Sequence, residues 1–173
     1  MGMFLCPFVS AQSFFKAPTV DVFAGYSYMS FDSKPMGFAN RLNLNGWNAE
    51  IALPYIYKGL GAAIDASGNY GHELSAYNFL IGPQYSVDFT KYHVFAHFLY
   101  GRSRDRIGLP GSTELEPSNL ARDIAFGGGV DRPIGDKVSW RIVQGDYMLS
   151  KNFGISQHNF RLSTGIVVRF GKH

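Results

Sequence analysis

Asn159-Phe160-Arg161-Leu162-Ser163-Thr164-Gly165-Ile166-Val167-Val168-Arg169-Phe170 is the stretch that decides the architecture. In an extended chain, Phe160, Leu162, Thr164, Ile166, Val168 and Phe170 share one face. Asn159, Arg161, Ser163, Gly165, Val167 and Arg169 share the other. A sustained period of two marks a strand with one apolar face and one polar face. The run also meets the roughly 10 residues that a tilted strand needs to cross a bilayer.

Working upstream, seven further runs repeat the pattern. The first, from Thr19, sets Val20, Val22, Ala24, Tyr26 and Tyr28 against Asp21, Phe23, Gly25 and Ser27. The second sets Trp47, Ala49, Ile51, Leu53, Tyr55 and Tyr57 outward against Asn48, Glu50, Ala52 and Pro54. The third sets Leu60, Ala62, Ile64 and Ala66 against Asp65 and Ser67. In the fourth, Tyr77, Phe79, Ile81, Pro83, Tyr85 and Val87 oppose Asn78, Gly82, Gln84 and Ser86. The fifth opposes Val94, Ala96, Phe98 and Tyr100 to His93, Phe95, His97 and Gly101. A glycine-rich sixth runs from Ile124 to Asp131, and the seventh from Val138 to Met148. In the seventh, Trp140 and Ile142 oppose Arg141, but Tyr147 is out of phase with them, which predicts a bulge near Gln144-Gly145. The expected fold is all-β: an eight-stranded antiparallel up-and-down transmembrane β-barrel.

The connections at Lys58-Gly59, Phe89 to Tyr92 and Pro133 to Lys137 read as short, and those around Met36, His72, Gly111 and Gly154 as longer. Outer-membrane barrels keep short turns in the periplasm and long loops outside, so strand one should run outward with both termini periplasmic. Aromatic residues then fall into two interfacial belts. Tyr28, Trp47, Tyr70, Tyr77, Tyr100, Tyr147 and Phe160 lie near the outer ends, and Tyr57, Tyr85, Tyr92, Trp140 and Phe170 near the inner ends.

Composition agrees. The 173 residues amount to one domain, and a net charge of +3 is too small and scattered for a nucleic-acid binder. Aromatics at 16% together with 20 glycines favour strands and turns. No stretch approaches the roughly 20 apolar residues of a spanning helix. Residues 1–11 resemble the later part of a secretory signal, with an apolar Met3-Phe4-Leu5 core and small Val9-Ser10-Ala11 before Gln12. The basic segment that precedes such a core is missing, which would place the start of this sequence inside the signal. Cleavage is expected after Ala11, leaving 12–18 as a periplasmic segment and 19–173 as the barrel. The only cysteine, Cys6, would leave with the signal.

A soluble barrel such as a lipocalin shows the same alternation with the apolar face turned inward. Against that inversion, the apolar faces are nearly free of charge and carry more large side chains than an eight-stranded interior holds.

The chain resembles the eight-stranded outer-membrane barrels grouped with the outer-membrane protein A transmembrane domain, from about Thr19 to Gly171. Phe23-Ala24-Gly25-Tyr26-Ser27-Tyr28 resembles the first strand of that family, and Phe95-Ala96-His97-Phe98-Leu99-Tyr100-Gly101 its fifth. The segment Ser163 to Phe170 resembles the signal by which the barrel assembly machinery recognises a last strand, with Ser163, Gly165, Val168 and Phe170 in the matching places. Gly171-Lys172-His173 follow the aromatic residue, which is terminal in many such proteins. The resemblance stops at the barrel, so cell-wall anchoring, the role of longer relatives, does not come with it.

Charges inside so narrow a cylinder must be paired or hydrated. Glu50 and Asp65 are the expected partners of Arg141, Arg161 and Arg169, forming a salt-bridge core in preference to a gated narrow pore. His93 and His97 share a face but stand roughly 13 Å apart along an extended chain, too far to grip one metal ion. Gly127-Gly128-Gly129 is followed by neither Lys-Ser/Thr nor a helix, so close strand packing explains it better than a phosphate loop. Ser156, His158, His72 and Glu73 supply the residue types of a lipid hydrolase without its spacing. The charged segment Arg102 to Arg122 reads as a solvated third loop that could meet lipopolysaccharide phosphates or another cell's surface.

The expectation is a non-enzymatic integral protein of the bacterial outer membrane with an envelope-structural or surface-attachment role. The alternatives are a lipid-modifying hydrolase and a narrow porin. No cofactor or metal is expected, nor any nucleic-acid partner. The expected partners are outer-membrane lipid, lipopolysaccharide and, during biogenesis, the assembly machinery, around a monomer.

Overall fold

The computed structural model describes residues 19–32, 41–72, 74–107, 119–152 and 155–171. The signal-like segment, the 12–18 stretch, Glu73 and the middle of the third loop lie outside the described residues.

Alternation produces eight strands: β1 (Val20–Phe31), β2 (Leu42–Tyr57), β3 (Leu60–Tyr70), β4 (Leu74–Phe89), β5 (Tyr92–Ile107), β6 (Asn119–Pro133), β7 (Val138–Asn152) and β8 (Ile155–Phe170). Each pairs antiparallel with the next, and β8 closes on β1, so no sheet edge is left unpaired. The register runs from Asp21 through Ala52 and Ala63 around to Met148 and Asn159, and arrives beside Phe31 rather than back at Asp21. That offset is the stagger that tilts the strands of a closed barrel.

The end carrying the β2–β3, β4–β5 and β6–β7 connections is called here the turn end, and the opposite one the loop end. At the turn end, Lys58 and Gly59 both take positive φ, 46° and 86°, forming the two-residue hairpin turn that matches strand twist. At the loop end the strands extend further than expected, because charged residues continue the alternation beyond the membrane. Arg102 to Ile107 and Asn119 to Arg122 belong to β5 and β6, not to a loop. The connections near His72 and Gly154 therefore shrink to a few residues, and only those around Met36 and Gly111 are long.

The soluble inversion is overturned by the direction of the side chains. Phe79, Phe98, Phe126 and Ile51 point away from the lumen and are 60%, 52%, 51% and 51% exposed. Asp65, Asp146 and Arg161 are fully buried inside. Lipid, not water, is the solvent that fits such a wall.

Two irregularities interrupt the ladders. In β7 an extra residue sits between Arg141 and Gln144, so the bulge lies at Ile142-Val143, just before the place expected from Tyr147. In β2 the register slips by two residues between Leu53 and Tyr57. There Tyr55, expected to face outward, turns to the lumen rim and bonds Asp88 and His93, while Ile56 turns out.

The interior is not polar throughout. Met29, Phe31, Leu44, Leu74, Ala76, Leu80, Leu99, Ala125 and Met148 form an apolar cluster from mid-height towards the loop end. Polar side chains fill most of the remainder, with Phe23, Phe95 and Val167 buried among them.

Candidate functional site

Arg161 on β8 is buried at the centre of the lumen and uses all five of its N–H donors. Nε and Nη2 donate to Asp146 of β7 at 2.9 and 2.7 Å. Nη1 and Nη2 reach Asp65 of β3 at 2.8 and 3.0 Å, and Nη1 also meets Ser67 at 2.9 Å. Asn48 donates to Asp65 at 2.6 Å and Gln144 to Asp146 at 3.0 Å.

Nearer the turn end, Arg141 of β7 donates to Asp131 of β6 and Glu50 of β2, each at 2.8 Å, and to Gln144 at 2.6 Å. The rings of Phe23 and Phe95 lie on its guanidinium, each centroid 4.3 Å away. His97 joins the two arginine clusters. Its Nε2 is 2.7 Å from Asp146 and its Nδ1 is 3.5 Å from Glu50. The glycine run of β6 makes this packing possible. A Cβ at Gly127 would come within 2.3 Å of the Asp146 carboxylate, and one at Gly129 within 2.7 Å of the Phe95 ring.

The structure joins Glu50 with Arg141 and Asp65 with Arg161. It separates Arg169, which pairs instead with Asp21 at 2.7 Å near the turn end, because closure of β8 on β1 sets the two opposite each other. The network also includes Asp131, Asp146, Gln144 and His97, which sequence reasoning left out. Asp146 and Gln144 lie beyond the β7 bulge, where the phase slip hides their direction. His97 already lay on the polar face of β5, and that was the available signal. Its partner is a carboxylate, and His93 has its own, Asp88, at 2.7 Å. Among the described residues no group of three or more His, Cys, Asp or Glu is placed to hold a metal ion.

Of the assembly-signal residues, Ser163 is buried inside and Gly165 lies opposite Gly25 on β1. Val168 is half-buried, and Phe170 stands exposed at the turn end.

On the outer wall of β5 to β8 the register sets residues in rows. One row is Phe98, Phe126, Tyr147 and Phe160. The next towards the loop end is Tyr100, Ile124, Leu149 and His158, and the next is Arg102, Arg122, Lys151 and Ser156. Tyr100, Ile124, Leu149 and His158, with Arg122, Lys151 and Ser156 of the next row, line a groove of about 570 Å³, and Arg102 stands beside Arg122 in the register. The hydrolase candidates do not assemble. Ser156 and His158 are two apart on one strand face, roughly 7 Å by strand geometry, and His158 Nδ1 is engaged by the Tyr147 hydroxyl at 2.5 Å. His72 lies in the β3–β4 connection, beside a different depression lined by Leu42 and Leu74.

No protein-family model matches the sequence, and no curated protein does. Solved structures do. Neisserial surface protein A (NspA) aligns with a TM-score of 0.63 at 15% identity, covering 88% of this chain and 96% of that one. The attachment invasion locus protein Ail of Yersinia pestis aligns at 0.58 and 16%, covering 88% and 99%. The N-terminal β-barrel domain of Pseudomonas aeruginosa OprF aligns at 0.53 and 8%, covering 88% and 98%. The chain has the fold of the eight-stranded outer-membrane barrels.

Proposed function

We propose that the chain is a non-enzymatic integral outer-membrane protein that supports the envelope or presents its loop end for attachment, as a monomer with both termini in the periplasm. One observation carries this reading: an apolar wall facing outward surrounds a lumen crossed from wall to wall by the Arg141 and Arg161 ion pairs. An apolar exterior calls for a bilayer, and a crossed lumen favours a closed cylinder over a pore. Ail, which shares the fold, is named as an attachment invasion locus protein.

The protein is expected to run faster on a gel unheated than boiled, to fractionate with outer membranes and to stay silent in planar bilayers. Soluble expression without detergent would refute the membrane reading, and steady ohmic conductance would favour the narrow porin. Incubation with lipopolysaccharide and phospholipid should leave their masses unchanged; loss of an acyl chain would establish the hydrolase instead.

Orientation is tested with a membrane-impermeant thiol reagent on intact cells. Arg41→Cys at the loop end should label and Lys91→Cys at the turn end should not. Replacing residues 108–118 with a short Gly-Ser turn separates the two roles, since attachment should be lost while envelope integrity is kept. Phe170→Asp should abolish insertion if Ser163, Gly165, Val168 and Phe170 are read by the assembly machinery, and normal insertion would overturn that role.

A further inference from the structure

The charged residues of β5 to β8 at the loop end are sorted by sign. Arg102, Arg104, Arg106, Arg122 and Lys151 all face outward and are exposed. On the same stretch of wall no described side chain that faces outward is a carboxylate; Asp123 points inward and is buried. Mixed charge, as a merely solvated surface would carry, is absent from these described positions. Within β1 to β3 the outward strand positions at the same end, Tyr28, Ser30, Asn43, Asn45 and Tyr70, are uncharged; Asp32 and Arg41 lie just beyond the ends of β1 and β2.

The basic row also lies directly above apolar surface. Arg122 pairs with Lys151 across the β6–β7 ladder, and the next outward pair below is Ile124 with Leu149, flanked by the exposed ring of Tyr100. Below them comes the aromatic row of Phe98, Phe126 and Phe160. Arg41 closes the β8 side, its guanidinium donating to the His158 carbonyl at 2.7 Å. A ligand matching this wall has acyl chains in the bilayer, a polar body at the interface and more than one anionic oxygen group above it. Guanidinium and ammonium groups side by side suit phosphate.

We propose that this groove is a binding site for a phosphorylated glycolipid of the outer leaflet. The acyl chains lie on Ile124, Leu149 and the aromatic row, and Arg122, Lys151 and Arg102 hold the phosphates. The proposal rests on the loop end facing outward, as inferred above.

The test uses the folded full chain in detergent micelles, where binding does not depend on orientation in a cell. Native mass spectrometry measures retention of diphosphorylated lipid A, the same lipid with its phosphates removed, and phosphatidylglycerol. The wild type should retain diphosphorylated lipid A preferentially. Arg122→Gln with Lys151→Gln should weaken that binding by at least about tenfold, as loss of charge-assisted hydrogen bonds implies, and raised salt should do likewise. Asn43→Ala with Asn45→Ala on the opposite wall should leave it unchanged.

Equal retention of the dephosphorylated lipid, equal retention of phosphatidylglycerol, or an unaffected double variant would each overturn the site. Heat-modifiability of every variant keeps this separate from the fold. A barrel that shifts on heating but shows no preference refutes the groove alone, whereas an absent shift in the wild type refutes the membrane reading beneath it.

Discussion

The two halves of the lumen solve one packing problem in opposite ways. Towards the loop end Met29, Phe31, Leu44 and Leu74 supply most of the filling, with Asp123 buried beside them, while the other half is filled largely by arginines and carboxylates that are as deeply buried. The difference teaches what a charge needs in order to occupy a core. Arg161 keeps every donor engaged, and Arg141 has carboxylates at its edge with aromatic rings on its faces. Apolar filling demands only shape, whereas a buried arginine demands partners for its donors, so the ionic half should be more sensitive to a single loss.

The sharpest way to break the contrast is Arg161→Met, which leaves Asp65 buried without its arginine and Asp146 with His97 and Gln144 alone. A cost of about 3 to 5 kcal/mol is expected in urea titrations of the folded barrel. Adding Asp65→Asn and Asp146→Asn should restore much of it. If the single variant is as stable as the wild type, the network is not what holds that half.

Leu44→Ala probes the apolar half and should cost about 2 to 3 kcal/mol through the cavity it leaves. A loss larger than that of Arg161→Met would reverse the ranking. The smallest change belongs to the turn-end rim, where the Asp88 side chain is 52% exposed beside His93. Asp88→Asn should cost below about 1 kcal/mol, because water screens the pair. A larger loss would mean that the rim belongs to the ionic core.

Much of this was legible beforehand, since a period of two survives wherever one face meets lipid and the other does not. The direction of Phe98 or Asp65 followed from it. What escaped did so for physical reasons. The two-residue slip in β2 preserves parity, so nothing in the alternation flags that Tyr55 turns inward, whereas the one-residue bulge in β7 breaks parity and announces itself at Tyr147. Arg102 to Arg106 were read as loop because charge on the outer face argues against lipid, although a strand can outrun the membrane. The Asp21–Arg169 pair needed the closing register of β8 on β1, which neither strand contains alone. The outer groove combines rows from four strands and could not appear in any one of them.

The ion pair of Asp65 with Arg161 joins residues 96 apart in the chain. While the barrel is being made, Asp65 on the third strand and Asp146 on the seventh must wait for the eighth to bring their cation. Contacts between such distant segments form late, after the intervening chain has been ordered. The guanidinium of Arg161 therefore acts as a latch on completion: a cylinder short of its last strand keeps open acidic sites in its interior, and only the finished one is dry.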